Sequence, residues 1–404
     1  MARFIDSTTA AALLGVSRQT LYSYVSRGLL HAQTKPDGRG KYYLRNQVER
    51  LAKQAEEARK PRSAAGATLD FGLPVLPSAL TLIARGQLWY RGRNALTLAE
   101  TGTLEDVACL LWQCRSDPFP LPEAARYEAP PRPASSLHPL ERAMTAFPWL
   151  AQQAGALPVD AGLDRQHERC ALLLRMMAAV LLGSDVSNAE IHLQCAHAWG
   201  LSAADSEHLR RALVLCADHE LNASSFAARC VASTGAQLHA SVLGGLVALS
   251  GPRHGMASEQ VEAWLDTLNN AKLKDESNSL LTNENPPPGF GHRLYPEGDP
   301  RARSILAALP HAPMLTSLCE TLERQTGEYA NLDFALVALR RCLGLPRHSA
   351  SVLFALGRTA GWLAHALEQG QQKGLIRPRA LYVGEPIPGE GATLPGRKVR
   401  MGKG

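Results

Sequence analysis

Amphipathic helical periodicity dominates this chain from residue 140 onward. Apolar residues recur there at intervals of three and four, and Gly, Pro, Ser, Thr or Asp residues separate the periodic stretches. The predicted helices include residues 165–182, 225–248 and 349–368. Of the 404 residues, 45% are hydrophobic and only 6% aromatic. This pattern predicts a mainly α fold, large enough for two or three domains.

Composition excludes several classes of protein. The longest apolar stretches, 171–183 and 241–251, are shorter than the roughly 18 residues of a membrane span. The N-terminus also lacks the apolar core of a secretory signal, so we expect a cytoplasmic protein with no membrane partner. The eight cysteines are scattered without CxxC spacing or a companion histidine cluster. We therefore predict reduced thiols and no metal site.

Positive charge is concentrated near the N-terminus. Residues 1–65 contain 12 Lys and Arg against 5 Asp and Glu, a net charge of +7, whereas the rest of the chain carries −1. Such a localised excess favours a polyanionic partner for this segment, while the remaining chain need not contact nucleic acid.

The same segment begins with two short predicted helices. We expect Ser7 or Thr8 to be the N-cap of a first helix over 10–14, followed by a glycine turn. Ser17 would then cap a second helix over 18–27, which places apolar residues on one face and polar residues on the other. A helix, a glycine turn and a capped helix together are typical of a helix-turn-helix.

Strand signals follow these helices. Predicted strands at 29–34 and 41–44 flank the turn residues 36–40, which indicates a basic hairpin, and a further helix is predicted over 46–59. The stretch 15–30, GVSRQTLYSYVSRGLL, resembles the winged helix-turn-helix of mercury-resistance-type regulators.

That resemblance implies contact with DNA. The implied contacts are Arg18, Gln19 and Ser23 at base edges or phosphates, and Arg39, Lys41 and Tyr42 on the DNA backbone. A small docking or dimerisation module with solvated charges stays open as the alternative, because helix-turn-helix folds are often reused.

Three segments further along the chain place ionisable side chains beside glycines or at a helix start. His254 lies in the segment 251–255, His292 follows the glycine- and proline-rich stretch 286–291, and Asp333 begins an apolar helix. Backbone can approach a ligand closely at such positions. Forked guanidinium groups accompany them, which suits a small di- or tricarboxylate ligand. We therefore predict that two histidines and one carboxylate converge in a polar pocket.

The order and spacing of these segments resemble the signature of citrate synthases. The segments that carry the resemblance are 217–224 (ADHELNAS), 251–255 (GPRHG), 289–293 (GFGHR), 299–301 (DPR), 331–334 (NLDF), 361–365 (GWLAH) and 377–382 (RPRALY). The similarity extends over about residues 73–384, and the full set in this order is far more specific than any single motif.

The resemblance implies condensation of an acyl-CoA with oxaloacetate and water, through an enol or enolate. Asp333 would remove a proton from the methyl carbon of the thioester. His254 would stabilise the enolate oxygen, and His292 would polarise the oxaloacetate carbonyl and protonate the alkoxide. No metal or other cofactor is implied.

The same resemblance implies the binding residues. Those for oxaloacetate are His219, Arg301, Arg358 and Arg377, and those for CoA are Gly289, Phe290, Gly291, Asn331 and Arg253. Arg377 matches a position that the family contributes from the partner subunit, so a homodimer or a higher oligomer is implied. Two departures bear on CoA binding and acyl choice. Met256 follows the His254 segment, and Pro296 stands where the family often has a cation.

The implied fold is a mainly helical, two-domain citrate-synthase-like body preceded by a small winged helix-turn-helix domain. The predicted divisions are a helix-turn-helix module at 1–62, a linker at 63–72, a large domain at 73–253 and 341–384, a small domain at 254–340, and a tail at 385–404.

Three functions remain open from sequence. The first is a citrate synthase that uses acetyl-CoA, and the second a 2-methylcitrate synthase that uses propionyl-CoA, which differs by one methyl group. The third is a transcriptional regulator with a citrate-synthase-like body as metabolite sensor, and an enzyme that also binds DNA is a variant of it. Retention of His254, His292 and Asp333 favours an enzyme, because a sensor does not need the base.

Overall fold

The computed structural model describes residues 4–26, 30, 32–34, 40–45, 47–49, 51–52, 76–121, 126–128, 137–158, 161–268, 286–309, 313–372 and 374–380. The chain divides into two compact units, residues 1–78 and 79–404. The predicted linker at 63–72 and tail at 385–404 lie outside the described residues. So does Arg39, together with most of the predicted turn at 36–40.

The N-terminal unit combines two helices with a small antiparallel sheet. Its elements are β1 (Phe4–Asp6), α1 (Ser7–Leu14), α2 (Arg18–Ser26), β2 (Ala32–Thr34) and β3 (Lys41–Leu44). The strand order is β1-β3-β2, so the predicted hairpin strands do pair. Among the described residues of this unit, an apolar cluster is formed by Ile5, Ala10, Ala11, Leu14, Leu21, Leu30, Tyr43 and Val48.

The start of α1 corrects one prediction. Its N-cap is Asp6, whose side chain accepts a hydrogen bond of 2.8 Å from Thr9 N, and not Ser7 or Thr8. A carboxylate is favourable at this position because the N-terminal end of a helix carries partial positive charge. The predicted glycine turn is confirmed, since Gly15 caps the C-terminus of α1 with a φ of 64°.

The C-terminal unit begins with a three-stranded antiparallel sheet and continues as helices. Its strands are β4 (Thr81–Ala84), β5 (Gln87–Tyr90) and β6 (Arg93–Asn94). Its helices are α3 (Ala95–Thr101), α4 (Leu104–Trp112), α5 (Pro139–Gln152), α6 (Leu163–Leu182), α7 (Ile191–Trp199), α8 (Ala203–Cys216), α9 (Ala223–Ala232), α10 (Leu238–Leu249), α11 (Ala257–Thr267), α12 (Pro300–Ala308), α13 (Pro313–Thr326), α14 (Leu332–Cys342) and α15 (Ser349–Gly370). The predicted mainly α class is confirmed.

Helix α15 is the centre of this unit. Nearly all of its residues are buried, and it packs against α4, α6, α8, α9 and α10. Glycines on its surface allow close approach. A Cβ at Gly361 would lie 2.4 Å from Ala217 O, and one at Gly357 would lie 2.7 Å from Leu213 O. The segment that follows α8 is therefore held directly against α15.

One predicted helix is two helices. Residues 225–248 were expected to be continuous, but α9 ends at Ala232 and α10 begins at Leu238. Gly235 lies between them with a φ of 80°, which a helix cannot contain. The hydroxyl of Ser233 also bonds back to Cys230 O at 2.7 Å, which completes the end of α9.

Within the part of the chain that the structure describes, no helix combines the length and the apolar character needed to cross a membrane.

Candidate active site

His219 lies in a tight segment between α8 and α9. The helix ends at Cys216, Glu220 adopts a left-handed φ of 51°, and Asn222 caps α9 by accepting from Ser224 N and Ser225 N. This geometry turns the His219 ring inward, where it is buried and its Nε2 lies 3.1 Å from the hydroxyl of Tyr295.

His292 meets His219 from the loop that precedes α12. The two ring centroids are 5.3 Å apart and the rings are nearly perpendicular. Leu294 N donates to His292 Nδ1 at 3.1 Å. Because that nitrogen is an acceptor, the proton of the neutral imidazole is on Nε2, which can therefore donate to a ligand.

Arg301 is oriented by a carboxylate two residues earlier. Asp299 caps α12 and accepts from Arg301 Nε at 3.0 Å and from its Nη2 at 2.7 Å, and both residues are buried. The guanidinium also lies over the ring of Tyr295, at 5.4 Å. Among the described residues no hydrogen bond engages Arg301 Nη1, so that nitrogen is left for a ligand.

Arg358 projects from the middle of α15. Its Nε donates to Cys216 O at 3.0 Å, and its guanidinium lies 4.8 Å from the ring centre of Phe354. Within the described ranges both Nη atoms lack a protein partner. The side chain is only 1% exposed, so an unpaired cationic end at this depth favours binding of an anion.

His254 stands in the turn after α10. His254 N donates to Gly251 O at 3.0 Å, and Gly255 N donates to Leu249 O at 2.9 Å. A Cβ at Gly255 would lie 2.5 Å from the Leu249 side chain, which explains the glycine. His254 Nε2 lies 2.8 Å from Ser224 Oγ, and its ring meets the edge of Phe354.

Asp333 lies in the first turn of α14. The N-cap of this helix is Asn331, which accepts from Asp333 N at 3.0 Å, so Asp333 itself does not cap the helix. Asp333 Oδ1 is buried and has no hydrogen-bond partner among the described residues. Burial raises the pKa of Asp333 to about 7, and the charges of Arg301 and Arg358 only partly offset this.

Burial has the opposite effect on the histidines. It lowers the pKa of His254 to about 3, with a further contribution from Arg358. It lowers the pKa of His292 to about 4, assisted by Arg301, and that of His219 well below its usual value. All three imidazoles are therefore neutral at pH 7, and each can act as a hydrogen-bond donor without carrying a charge.

The residues implied for CoA binding form a second cluster beside α14. Asn331 N donates to Gly289 O at 2.8 Å, and Asn331 Nδ2 donates to Gly291 O at 3.1 Å. The side chain of Phe290 is buried against Phe334, with ring centroids 5.0 Å apart. Only the backbone of residues 289–291 can therefore face a ligand.

Arg253 lies beside His254 on the rim of an open cavity. The cavity has a volume of about 380 Å³ and is lined by Arg253, His254 and smaller residues, including Ala223 and Gly251. Met256 is partly buried against the core, and Pro296 is exposed.

Arg377 is the implied site residue that stands apart. Its side chain is exposed, and it makes no described contact with the other site residues. The segment that carries it is fixed by Ile376 N, which donates to Ser233 Oγ at 3.1 Å.

Comparison with known proteins places this geometry in a family. The model of the citrate synthase C-terminal domain matches residues 69–379, which is more than half of the chain. The chain belongs to the citrate synthase family. A separate helix-turn-helix family model matches residues 4–56.

Individual relatives differ in what they match. The chain is 36% identical to 2-methylcitrate synthase 2 of Corynebacterium glutamicum over 193 residues, which are 45% of this chain but only half of that relative. It is 29% identical to citrate synthase 2 of Bacillus subtilis over 356 residues, 78% of this chain and 94% of the relative. The crystal structure of citrate synthase from Thermotoga maritima MSB8 superposes with a TM-score of 0.61, at 25% identity, over 81% of this chain and 98% of the other.

Several contributors to this candidate site were not singled out from the sequence. Asp218 is fully buried and accepts from His365 Nε2 at 3.2 Å and from Thr81 Oγ1 at 2.5 Å. It directly precedes His219, and Asp299 lies two residues before Arg301, so closeness in sequence is a usable signal for both. Ser224 has no such signal, because 30 residues separate it from His254.

The described N-terminal residues implied for DNA contact lie on α2 and on β3. Arg18 and Gln19 are exposed at the start of α2, and Ser23 is partly buried further along it. Lys41 begins β3 and lies 5.9 Å from the ring centre of Tyr22. Arg18 Nη2 donates to the hydroxyl of Thr8.

A group with metal-ligand composition lies elsewhere in the C-terminal unit. It consists of His138, Glu259 and His348. His138 Nδ1 accepts from Leu140 N at 3.2 Å, so Nε2 carries the proton and faces Glu259 Oε1 at 3.4 Å. Although burial alone would raise it, hydrogen bonds from the two histidines lower the pKa of Glu259 to about 2. Through these contacts the three side chains link α5, α11 and the start of α15.

Proposed function

We propose that this protein condenses acetyl-CoA with oxaloacetate and water to give citrate and CoA. The observation that carries the proposal is Asp333. A base that removes a proton from carbon needs a free oxygen and a pKa near neutrality. Asp333 has both, because its Oδ1 is buried and unpaired among the described residues and its pKa is about 7. A structural carboxylate would instead be paired, as Asp299 is with Arg301.

Oxaloacetate would bind between the two buried arginines. Arg358 offers both Nη atoms to one carboxylate and Arg301 offers Nη1, while His219 completes the pocket. The ligand's keto oxygen would then accept from His292 Nε2, the protonated nitrogen of that ring. Polarising this carbonyl makes its carbon a better electrophile without requiring a charged imidazole.

Enolisation of the thioester would take place between Asp333 and His254. Asp333 takes a proton from the methyl carbon while His254 donates to the thioester oxygen. Loss of such a donor typically costs about 10²–10³ in rate. The donor must be His254 Nδ1, since Nε2 faces Ser224 Oγ at 2.8 Å. The Ser224 hydroxyl donates to Asn222 Oδ1 at 2.7 Å. For His254 Nδ1 to donate, we propose that this hydroxyl turns to donate to Nε2 when the thioester binds.

The enolate carbon would then attack the keto carbon, and His292 would protonate the alkoxide. Hydrolysis of the resulting citryl thioester releases CoA. In this proposal CoA lies along the backbone of residues 289–291 and Asn331, with Arg253 at its phosphates. The exposed Pro296 contributes no charge there.

The pocket for the acyl group determines whether acetyl-CoA or propionyl-CoA is the preferred substrate. A pocket discriminates one methyl group by only about 1–3 kcal/mol, roughly 10–200-fold. Steady-state CoA release with oxaloacetate should favour acetyl-CoA by at least about tenfold in kcat/KM. A preference for propionyl-CoA would instead make the protein a 2-methylcitrate synthase. Met256→Ala would show whether the Met256 side chain limits the size of the acyl group. Turnover with neither thioester would reject the enzyme.

A second candidate function is DNA binding by the N-terminal unit. The helix-turn-helix match and the exposed Arg18 and Gln19 on α2 favour it. Retardation of duplex DNA by the full-length protein should weaken steeply with salt, because phosphate contacts release counterions. Arg18→Ala should weaken it further. Binding insensitive to both changes would indicate a docking module instead.

A further inference from the structure

The C-terminal end of α4 brings two cysteines together. Gln113 follows Trp112 with a left-handed φ of 62°, Cys114 N donates to Cys109 O at 2.9 Å, and Gln113 N donates to Leu110 O at 3.3 Å. This pair of hydrogen bonds is the Schellman motif, in which the side chains at the two outer positions commonly touch. Here those positions are Cys109 and Cys114.

The two thiols interact and share a cavity. A hydrogen bond between them lowers the pKa of Cys114 and raises that of Cys109. Both residues are partly buried, and both line a cavity of about 560 Å³ that also includes Arg115 and Asp117. Small reagents can therefore reach the pair without unfolding of α4.

The other cysteines lack this arrangement. Four of them, Cys170, Cys195, Cys216 and Cys319, are buried, and burial raises the pKa of each thiol. Cys230 and Cys342 are partly buried but have no cysteine among the groups that shift their pKa. An unpartnered thiol with a raised pKa reacts slowly with oxidants.

We propose that Cys109 and Cys114 are a redox-reactive dithiol that closes into an intramolecular disulfide when a peroxide enters the cavity. The Cys114 thiolate attacks one peroxide oxygen, the O–O bond breaks, and hydroxide leaves to give a sulfenic acid. The Cys109 sulfur then attacks the Cys114 sulfur, the S–O bond breaks, and the departing hydroxide takes up the Cys109 proton as water. Two electrons pass from the thiols to the peroxide.

The geometry favours the second step over further oxidation. A disulfide needs Cα atoms about 4.4–6.8 Å apart, and the Schellman turn brings the two residues close together, with Cys114 N 2.9 Å from Cys109 O. Closure leaves the neighbouring contacts of α4 intact, since Trp112 Nε1 donates to Ala360 O and Arg91 Nε donates to Leu111 O through other atoms. The oxidised protein should therefore stay folded.

The test treats the reduced full-length protein with hydrogen peroxide and measures its intact mass and its alkylatable thiols. We expect a loss of about 2 Da, two fewer iodoacetamide adducts, and one cross-linked peptide pair, all reversed by dithiothreitol. Cys230→Ser and Cys342→Ser should behave like the wild type. Cys109→Ser should stop at a sulfenic acid on Cys114 that dimedone traps.

A second reagent covers the case in which a serine variant does not fold. Phenylarsine oxide bridges only adjacent thiols, so the reduced wild type should bind one equivalent and lose it after peroxide treatment. Sulfinic acid on Cys114 without a cross-link, or a disulfide that involves any other cysteine, would overturn the proposal.

Discussion

At the scale of single residues, burial has opposite effects on the pKa values of the histidines and of Asp333. Enclosure keeps His219, His254 and His292 neutral, because each would lose hydration as a cation beside Arg301 or Arg358. The same enclosure raises the pKa of Asp333 to about 7. The pocket therefore holds neutral hydrogen-bond donors and one carboxyl group with a pKa near 7. Enolisation at neutral pH needs this combination.

This environment should destabilise the folded protein, and Asp333→Asn should relieve the effect. The pKa of the carboxyl is about 7 when folded against 3.8 in its ordinary state. The folded state thus binds the proton more tightly, and stability is lost as pH rises between those values. At pH 8 the variant should be more stable by about 1–3 kcal/mol, and near pH 4 by almost nothing.

Thermal melts across this pH range measure the difference. Asp164→Asn is the matched control, because Asp164 is exposed in the first turn of α6. A variant whose advantage at pH 8 is no larger than at pH 4 would show that Asp333 is not a strained base.

The sequence predicts which residues form the site better than it predicts the surroundings of each residue. His219, His254, His292 and Asp333 stand within recognisable motifs, and the structure brings the three histidines and both inner arginines together. The Ser224 contact could not be predicted, since it depends on how the end of α10 packs against α9. The depth of Asp333 likewise depends on long-range packing, which no local pattern contains.

At the scale of elements, glycines set how closely α15 approaches α8. Gly361 packs on the backbone of Ala217 and on Asp218, and Gly357 on Leu213 O and Cys216. These contacts place Asp218 against His365, and they fix the segment that carries His219. The active site therefore rests on a helix contact that a single methyl group would disturb.

Gly361→Ala should move that segment. A Cβ there would lie 2.6 Å from Asp218 Oδ1, so the variant should lose about 1–3 kcal/mol of stability and bind oxaloacetate more weakly. Gly370→Ala, on the last residue of the same helix, meets nothing within 4 Å and should be neutral. Urea unfolding and the KM for oxaloacetate report the two effects. Equal behaviour of the two variants would contradict the packing argument.

Helix positions were predictable where periodicity was strong, and helix ends were less so. The predicted helix 165–182 corresponds closely to α6, and 349–368 to α15. The break between α9 and α10 was missed because small apolar residues continue the helical period on both sides of it. Only the left-handed conformation of Gly235 reveals the end, and a single glycine inside such a pattern does not predict that conformation.

At the scale of the whole molecule, the exposed Arg377 suggests an incomplete site. We propose that the protein is a homodimer in which Arg377 of one subunit completes the oxaloacetate site of the other. Within the described residues Arg377 contacts no other site residue of its own chain. The division of the synthase region into a large and a small domain, at 254 and 341, stays a prediction alongside it.

Subunit complementation tests this arrangement. Arg377→Ala and Asp333→Ala should each be inactive alone, but a refolded mixture should recover roughly a quarter of wild-type activity. Half of the dimers would be mixed, and half of their sites intact. A mixture of His254→Ala and Asp333→Ala should recover nothing, because both residues would belong to one chain's site. No recovery in the first mixture would place Arg377 in its own subunit's site or outside the site.

The most direct test of the whole account is the rate of CoA release from acetyl-CoA and oxaloacetate by the wild type and Asp333→Asn. The amide keeps the shape of the side chain but cannot take the proton. We predict turnover by the wild type and a fall of about 10²–10⁴ in kcat for the variant, with Asp164→Asn unchanged. A variant that retains kcat within a few-fold of the wild type would contradict the assignment of Asp333 as the base.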